Sequence, residues 1–325
     1  MASICRDIVP GRRERGGGYA PPVRRLAVFL LALCALAAAV AGIARAGDST
    51  VEQRWLKGKT HVALVLGTSD YVPGDVRVSF LVVDKKSRLL TAPTARLSLA
   101  SGMQAVPFAT GTATLVSTAG PATKAADGEF TQLFVGHIRA TAPGTYFLLA
   151  ELAGTSVTGI GNVIVRAKAT TPGIGDPAPA SQTPTLATTK DSAKLTTRTP
   201  PDRELLRVSV AQALKAHQPF VVTFATPKFC SSRTCGPVVD VVDGVRRQWS
   251  GTRVQFIHVE IYADNVPSQG PNTWVRQWKL PSEPWTFLVG ADGKVKERFE
   301  GAMSTSELAA AVKAKLGIAP THPTS

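Results

Sequence analysis

Two cysteines, Cys230 and Cys235, are the residues of this sequence best suited to covalent chemistry. They follow an apolar, β-branched run over residues 219–226, which predicts a buried strand, and a helical pattern begins near Cys235. Both sulfurs are therefore expected on a strand-to-helix turn. Because backbone N–H groups at a helix start favour negative charge, a thiolate at this place is stabilised and its pKa falls.

The cysteine count strengthens this interpretation. Of the four cysteines, Cys5 and Cys34 lie in an N-terminal targeting segment, which leaves Cys230 and Cys235 as the pair in the body of the chain. Outside the cytoplasm such a pair can be oxidised to a disulfide. A structural disulfide normally closes a longer loop, because its stabilisation grows with loop length, so the short spacing favours a redox or metal-binding role.

The N-terminus has the pattern of an export signal. Six arginines precede residue 26, residues 26–44 form an uncharged apolar run, and Ala44-Arg45-Ala46 follows as a small-residue cleavage pattern. The apolar run is also long enough to span a bilayer, so an uncleaved anchor is the alternative. In both cases residues 1–47 are the targeting segment, and the rest of the chain is predicted to lie outside the cytoplasm, either secreted or anchored to the cytoplasmic membrane.

Length and composition predict two folded domains in the body of the chain. At 325 residues with 44% apolar residues, the chain can bury sizeable cores. Residues 50–169 contain about seven short runs rich in Val, Leu, Thr and Phe, separated by turn signals, which predicts an all-β, immunoglobulin-like sandwich that serves as a spacer or docking module. The net charge of +14 is scattered and forms no dense basic stripe, so a nucleic-acid partner is not expected.

The remaining segments differ in character. Residues 170–202 are rich in Thr, Pro and Ala and predict a linker. Residues 203–317 alternate helical and strand patterns, which predicts an α/β domain with a central mixed sheet. Residues 318–325 predict a disordered tail.

Four stretches within residues 203–317 follow one another in a specific order. They are the strand ending in Phe-Ala-Thr-Pro-Lys-Phe-Cys230, the Cys235-Gly236-Pro237 sequence, the Glu283-Pro284 strand start and the Asp292-Gly293-Lys294-Val295 hairpin. Together they resemble the thioredoxin-like superfamily, in particular its exported or membrane-anchored thiol-disulfide oxidoreductases. The resemblance implies a thioredoxin-like fold, a redox-active cysteine pair and a cis-proline at Pro284 beside the cysteines. It also implies exchange with protein thiols or disulfides and no cofactor.

The spacing of the cysteines departs from that family, because four residues lie between Cys230 and Cys235, whereas the family has two. Two alignments follow. In the first, Cys230, preceded by the aromatic Phe229, is the attacking thiol and Cys235 resolves the mixed disulfide. In the second, Cys235 attacks, because Cys235-Gly236-Pro237 matches the helix start of the family. Phe229, Gly236 and Pro237 are expected to support the site in either case.

Two further positions have open roles. Arg233, between the cysteines, either lowers a thiol pKa through its charge or is a solvated loop residue. Thr223 stands where the family often has a buried acid, so a proton relay from that position is not expected.

Two other functions compete with thiol-disulfide exchange. A copper-binding or copper-delivery protein would use Cys230 and Cys235 with His258, because soft thiolates suit copper(I). A redox-silent interaction module would keep the pair as a fixed disulfide. For the oxidoreductase, the expected partners are protein thiols or disulfides outside the cytoplasm, and the membrane if residues 26–44 are retained.

Overall fold

The computed structural model describes residues 49–57, 59–119 and 131–322, which belong to one compact unit. The predicted targeting segment, residues 1–47, lies outside the described residues, as do Cys5 and Cys34. Within the described ranges no helix is long and apolar enough to cross a bilayer, so the prediction of a transmembrane helix has no support there.

Seven strands form a closed barrel, and a short helix, α1 (Val51–Leu56), precedes them. In chain order they are β1 (Thr60–Leu66), β2 (Gly74–Val83), β3 (Thr94–Ala100), β4 (Ala109–Ser117), β5 (Gln132–Ala140), β6 (Gly144–Leu152) and β7 (Val157–Val165). Around the barrel the order is β1-β2-β5-β4-β3-β6-β7. Neighbours pair antiparallel except β1 and β7, whose parallel pairing closes the barrel.

The barrel core follows from the period-two alternation of its strands. On β2, Val76, Val78, Phe80 and Val82 are buried inside, and the residues between them lie on the outer face. Phe80 stacks on Phe134 of β5, with ring centroids 5.2 Å apart. The interior is therefore a packed apolar core.

The predicted immunoglobulin-like sandwich was wrong. The strand-rich segment does form seven strands, but they close into a single barrel, because Thr60 to Ala63 of β1 pair in parallel with Val157 to Ile160 of β7. Alternation of apolar residues shows which face of a strand is buried, but not which strand pairs with which edge. A sandwich and a barrel therefore share the same local pattern.

A second sheet of four strands follows in the chain. It contains β8 (Phe220–Phe224), β9 (Gln255–Val259), β10 (Trp285–Val289) and β11 (Val295–Glu300), in the order β11-β10-β8-β9. Strands β8 and β9 are parallel, whereas β10 is antiparallel to both of its neighbours. The accompanying helices are α2 (Val210–Lys215), α3 (Cys235–Gln248), α4 (Thr273–Gln277) and α5 (Thr305–Leu316).

The prediction of a thioredoxin-like α/β domain was also wrong. The described chain is mostly sheet, built as a closed barrel and a second four-stranded sheet, and its helices are few and short. At the start of the segment predicted to alternate helical and strand patterns, the chain forms a 3-10 turn at Arg203–Leu206 and the six-residue helix α2. The helical pattern of apolar residues in this stretch reflects burial, because Leu205, Leu206 and Val210 are all buried, and burial alone does not set the length of a helix.

The Thr- and Pro-rich segment 170–202, predicted to be a linker, is an ordered strap along the second sheet. Its Gly175 N–H donates to the carbonyl of Val295 in β11 at 2.8 Å, and Val295 N–H donates back to the Asp176 carbonyl at 2.9 Å. Ala178 and Leu195 are buried. Backbone pairing and burial therefore order a segment whose composition is typical of flexible connections.

The barrel and the second sheet meet at the buried carboxylate of Glu300, at the end of β11. It accepts hydrogen bonds from the backbone N–H and the hydroxyl of Ser69, from the N–H of Asp70 and from the hydroxyl of Ser282, at 2.6 to 3.0 Å. Beside it, Arg298 forms an ion pair with Asp70 at 2.6 Å. Ser69 and Asp70 belong to the β1–β2 connection, so these bonds fix the barrel rim against the sheet.

Removing this carboxylate should destabilise the fold. Glu300→Ala leaves the donors of Ser69, Asp70 and Ser282 without their acceptor, among them the buried N–H of Asp70, so the free energy of unfolding is expected to fall by about 3 kcal/mol. Urea denaturation followed by circular dichroism measures this change. The control is Glu204→Ala, which removes an exposed ion pair with Arg207 and should cost about 0.5 kcal/mol or less. Equal losses in the two variants would contradict the role assigned to Glu300.

Candidate active site

The two cysteines lie at the ends of the turn that joins β8 to α3. All five residues of β8 are buried, and Cys235 is the first residue of α3. Between the cysteines, Arg233 has a positive φ of 57°, and its N–H donates to the Cys230 carbonyl at 3.2 Å. Thr234, the residue before the helix, makes no side-chain cap, so backbone N–H groups of the first helical turn are available to a ligand or a thiolate.

Cys230 has the environment of a thiolate. Its half-buried sulfur lies 3.2 Å from Ser232 Oγ, which in turn lies 2.7 Å from Thr234 Oγ1. A hydrogen bond from the Cys235 side chain, together with bonds from Ser232 and from the backbone N–H groups of Cys235 and Thr234, lowers the pKa of Cys230 to about 5, against the opposing effect of burial. Cys230 is therefore largely ionised at neutral pH.

Cys235 has the opposite environment. Its side chain is fully buried, and burial raises its pKa far above the ordinary thiol range. The hydrogen bond that it donates to Cys230 and the negative charge of Cys230 raise its pKa further. Both cysteines are free thiols in this structure. Of the two alignments that the sequence leaves open, this asymmetry favours the one in which Cys230 attacks and Cys235 resolves.

Aromatic and basic side chains flank Cys230 on one side. The Phe229 ring packs edge-on against Tyr262, with centroids 6.3 Å apart, and the Lys228 ammonium lies 5.3 Å from the centre of the Phe229 ring. Burial raises the pKa of Tyr262, and the charges of Glu283 and Cys230 add to this effect. The cysteines, Tyr262 and Glu283 thus share one electrostatic environment.

Glu283 is a titratable neighbour to which the sequence assigned no role. The Glu283-Pro284 peptide bond is cis, and Pro284 accepts a hydrogen bond from Gly301 N–H at 2.9 Å. The Glu283 side chain is half-buried, and its burial, followed by the charge of Cys230, raises its pKa. Its position directly before Pro284 was the one sequence signal that could have indicated it.

The other predicted supporting residues lie around the turn. Arg233 is exposed on the turn between the two cysteines. Pro237 is buried in the first turn of α3, where its missing N–H has no helical partner to lose, and Gly236 is half-buried beside it. Thr223 is buried in β8, with its hydroxyl 2.9 Å from that of Thr286.

The copper alternative required His258 as a third ligand. His258 is buried in β9, with Nδ1 3.3 Å from the hydroxyl of Thr196 and Nε2 3.0 Å from the carbonyl of Ala225. Both ring nitrogens therefore have protein partners. Within the described residues, no group of three or more His, Cys, Asp or Glu side chains is placed to hold a metal ion. The structure does not bring the proposed copper ligands together.

Comparison with known proteins assigns this chain to no family, because no protein-family model and no curated protein matches it. A functional assignment therefore has to rest on the arrangement and the electrostatics of the site. The site combines the half-buried Cys230, which is favoured as a thiolate, the buried Cys235, which keeps its proton, and the half-buried carboxyl of Glu283.

The pH profile of alkylation should separate the two thiols. With iodoacetamide, the rate of Cys230 modification is expected to rise around a midpoint near pH 5, because the thiolate is the nucleophile, and to be flat above about pH 6.5. Cys235 should react far more slowly over the same range, because it is buried and keeps its proton. Mass spectrometry of the two labelled peptides measures both rates.

Ser232→Ala is the matched variant for this measurement. It removes one hydrogen bond to the Cys230 sulfur and should shift the midpoint upward without exposing Cys235. A wild-type midpoint near the ordinary thiol value of about 8.5 would show that the turn does not stabilise the thiolate.

Proposed function

We propose that this protein is a thiol-disulfide oxidoreductase that uses Cys230 as the nucleophile and Cys235 as the resolving thiol. The observation that carries the proposal is the asymmetry of the pair: Cys230 is half-buried, and a hydrogen bond from the Cys235 side chain stabilises its thiolate, whereas burial, followed by that same hydrogen bond, holds the proton on Cys235. Such a pair can act in sequence, because the two sulfurs differ in both access and ionisation.

The reaction proceeds in two exchanges. The Cys230 thiolate attacks one sulfur of a substrate disulfide, forms a mixed disulfide and releases the other substrate sulfur as a thiolate, which takes up a proton. Cys235 then loses its proton, attacks the Cys230 sulfur and releases the second substrate thiol. The substrate disulfide gains two electrons and the cysteine pair is oxidised to a disulfide. The reverse sequence oxidises a substrate dithiol, and the difference in reduction potential sets the direction.

Glu283 supplies a proton acceptor for the second exchange. Burial, followed by the charge of the Cys230 thiolate, raises the pKa of Glu283. Formation of the mixed disulfide removes that charge, so the pKa of Glu283 falls and its carboxylate is favoured. The carboxylate then takes the Cys235 proton, directly or through one water.

The site of action is outside the cytoplasm, where the arginine-rich start and the apolar run of residues 26–44 predict that the chain is exported or anchored. Disulfides persist in that environment, which supplies protein thiols and disulfides as substrates. Exchange by the two sulfurs needs no cofactor.

Trapping experiments should identify the attacking sulfur. When the reduced full-length protein is mixed with a disulfide-bonded peptide, Cys235→Ser is expected to accumulate a mixed disulfide through Cys230, because the resolving thiol is gone and the serine hydroxyl can still donate to the thiolate. Cys230→Ser should form little adduct, because Cys235 is buried. Non-reducing gels with mass spectrometry detect the adducts.

The opposite pattern, an adduct only in Cys230→Ser, would show that Cys235 attacks. A pair that forms no adduct in either variant and stays oxidised across biological redox buffers would overturn the proposal in favour of a fixed disulfide.

Replacing Glu283 should separate its two effects on Cys235. Its charge raises the pKa of Cys235, so if Glu283 acted only through charge, Glu283→Gln would accelerate resolution of the mixed disulfide at pH 7. If it accepts the proton, Glu283→Gln should slow resolution by about a hundredfold and make the rate rise with hydroxide concentration. Quenched-flow release of the peptide thiol measures the step, and Glu297→Gln, another half-buried glutamate on the same sheet, is the control.

A further inference from the structure

A cavity of about 450 Å³ lies between the barrel and the cysteine turn. Its volume is within the range of binding pockets, about 300–1,000 Å³. Residues of the cysteine turn, Ser232 and Thr234, line one side, and Ser282 and Glu283 line the side next to Pro284. A larger cavity of about 900 Å³ lies at the same joint, but none of its described lining residues belongs to the cysteine turn.

The outer wall of the barrel supplies the apolar side of this cavity. Val65 of β1 and Leu81 of β2 are cross-strand partners on the outer face, and Leu133 of β5 lies beside them in the cavity lining. Val65 is 49% exposed, a high value for an aliphatic side chain in a closed barrel. Farther along β5, the outward positions His137 and Arg139 are polar, so on this strand the apolar outer positions are Leu133 and Val135, at the end near the cysteines.

The cavity reaches the cysteine turn at Ser232, whose hydroxyl contacts the reactive sulfur, although Cys230 itself is not one of the described lining residues. Ser232 Oγ lies 3.2 Å from the Cys230 sulfur and 2.7 Å from Thr234 Oγ1, and both hydroxyl-bearing residues line the cavity. A molecule in the cavity would therefore lie next to any disulfide that Cys230 attacks. The contact with the cysteine turn through Ser232 and Thr234 distinguishes this cavity from the larger cavity of about 900 Å³.

Charge further limits the occupant. Only Glu283 and Glu300 are charged among the described lining residues, and the Glu300 carboxylate is occupied by Ser69, Asp70 and Ser282. Basic side chains are absent from this described lining. An acidic group in the cavity would therefore have no ion-pair partner and would lie near the carboxyl group of Glu283. An aliphatic or aromatic side chain is the occupant that the wall fits, because burying it against Val65 and Leu81 removes apolar surface from water.

The position of this wall relative to the cysteines is fixed by the fold. Gly301 lies so close to the β1–β2 connection that a Cβ on it would approach the Gly67 carbonyl oxygen within 2.4 Å. Gly301 also donates to the Pro284 carbonyl, and its neighbour Glu300 holds Ser69. The apolar wall and the cysteine turn are thus held by the fold on either side of the cavity, and together they form one preformed cleft.

We propose that this cleft, lined by Val65, Leu81 and Leu133, binds an apolar side chain adjacent to the disulfide of a polypeptide substrate, and so selects the disulfides that reach Cys230. The inference rests on the proposed oxidoreductase function and adds a substrate class to it. The barrel is then the substrate-recognition part of the enzyme.

The test compares three disulfides with the reduced full-length protein. Two are disulfide-bonded peptides that are identical except for Leu or Ser beside the cystine, and the third is bis(2-hydroxyethyl) disulfide, which is too small to reach the wall. The rate constant with the Leu peptide should exceed that with the Ser peptide by roughly tenfold or more, the size expected for one well-placed apolar contact.

Val65→Asp should abolish the preference for the Leu peptide and leave the rate with bis(2-hydroxyethyl) disulfide within about twofold of wild type, because it puts a charge on the wall and leaves the sulfurs unchanged. Val65→Thr keeps the β-branched shape and should lose part of the preference. Ile164→Asp is the matched control, because Ile164 is 51% exposed on β7 of the same barrel and lies outside the cleft lining. Equal rates for the Leu and Ser peptides, or equal effects of Val65→Asp and Ile164→Asp, would overturn the proposal.

A failure of the redox function would be recognised separately. The same peptides with Ser in place of both cysteines cannot exchange, so their binding reports on the cleft alone. One outcome is that the Leu form binds, that Val65→Asp weakens this binding by roughly tenfold, and that no disulfide is exchanged. This outcome would support the cleft as a binding site and refute the oxidoreductase function. If all three disulfides are exchanged and the Leu form is not bound selectively, the cleft is refuted as a binding site and the oxidoreductase function is supported.

Discussion

The buried carboxylate of Glu300 is the contact on which the arrangement of the site depends. It accepts hydrogen bonds from Ser69 and Asp70 on the barrel side and from Ser282 on the sheet side. A buried carboxylate is costly unless it is fully hydrogen-bonded, so its partners are held strongly in place. Ser282 directly precedes Glu283, and Ser69 belongs to the part of the barrel rim that lines the cleft. The same carboxylate thus sets the position of the acid beside the thiols and that of the apolar wall.

The environment of Cys230 has consequences for the direction of exchange within the proposed function. With a pKa of about 5, Cys230 carries roughly a hundred thiolates for each thiol at pH 7. Because nucleophilicity falls as the thiol pKa falls, the gain in attack is smaller than this ratio, whereas a sulfur of low pKa is a good leaving group. The hydrogen bonds that stabilise the Cys230 thiolate exist only in the reduced pair. They favour the dithiol over the disulfide and make the oxidised pair a better oxidant.

The local parts of this site could be predicted from the sequence, whereas the long-range parts could not. The apolar run before Cys230 predicted a buried strand, and Cys235 was expected near a helix start; β8 and α3 lie there. The closure of the barrel depends on β1 meeting β7, about a hundred residues later in the chain, and local alternation carries no such information. The thioredoxin-like assignment failed for a related reason, because short motifs near the cysteines do not report the barrel or the strap of residues 170–202.

Glu283 illustrates the same limit at the level of chemistry. An exposed glutamate in a loop has no special acidity, and its raised pKa arises because β10 brings it, half-buried, beside a turn about fifty residues earlier in the chain. His258 shows the converse, because a residue type that suggested a metal ligand is held by Thr196 and Ala225 inside the sheet. Residue type indicated candidates in both cases, and tertiary packing decided what each could do.

A stabilised thiolate does not by itself select among substrate disulfides, so selectivity has to come from other parts of the fold. Sulfur exchange is limited mainly by access and by the pKa values of the sulfurs, so an accessible thiolate of low pKa discriminates poorly among disulfides. Discrimination then has to come from contacts made outside the reacting atoms, each worth about 1–3 kcal/mol for an apolar group. The second sheet holds the thiols but presents mostly buried strands, as the uniform burial of β8 and β10 shows. The outer face of the barrel, which is apolar at Val65, Leu81 and Leu133 beside the cysteine turn, is the part of the chain that offers a surface for those contacts.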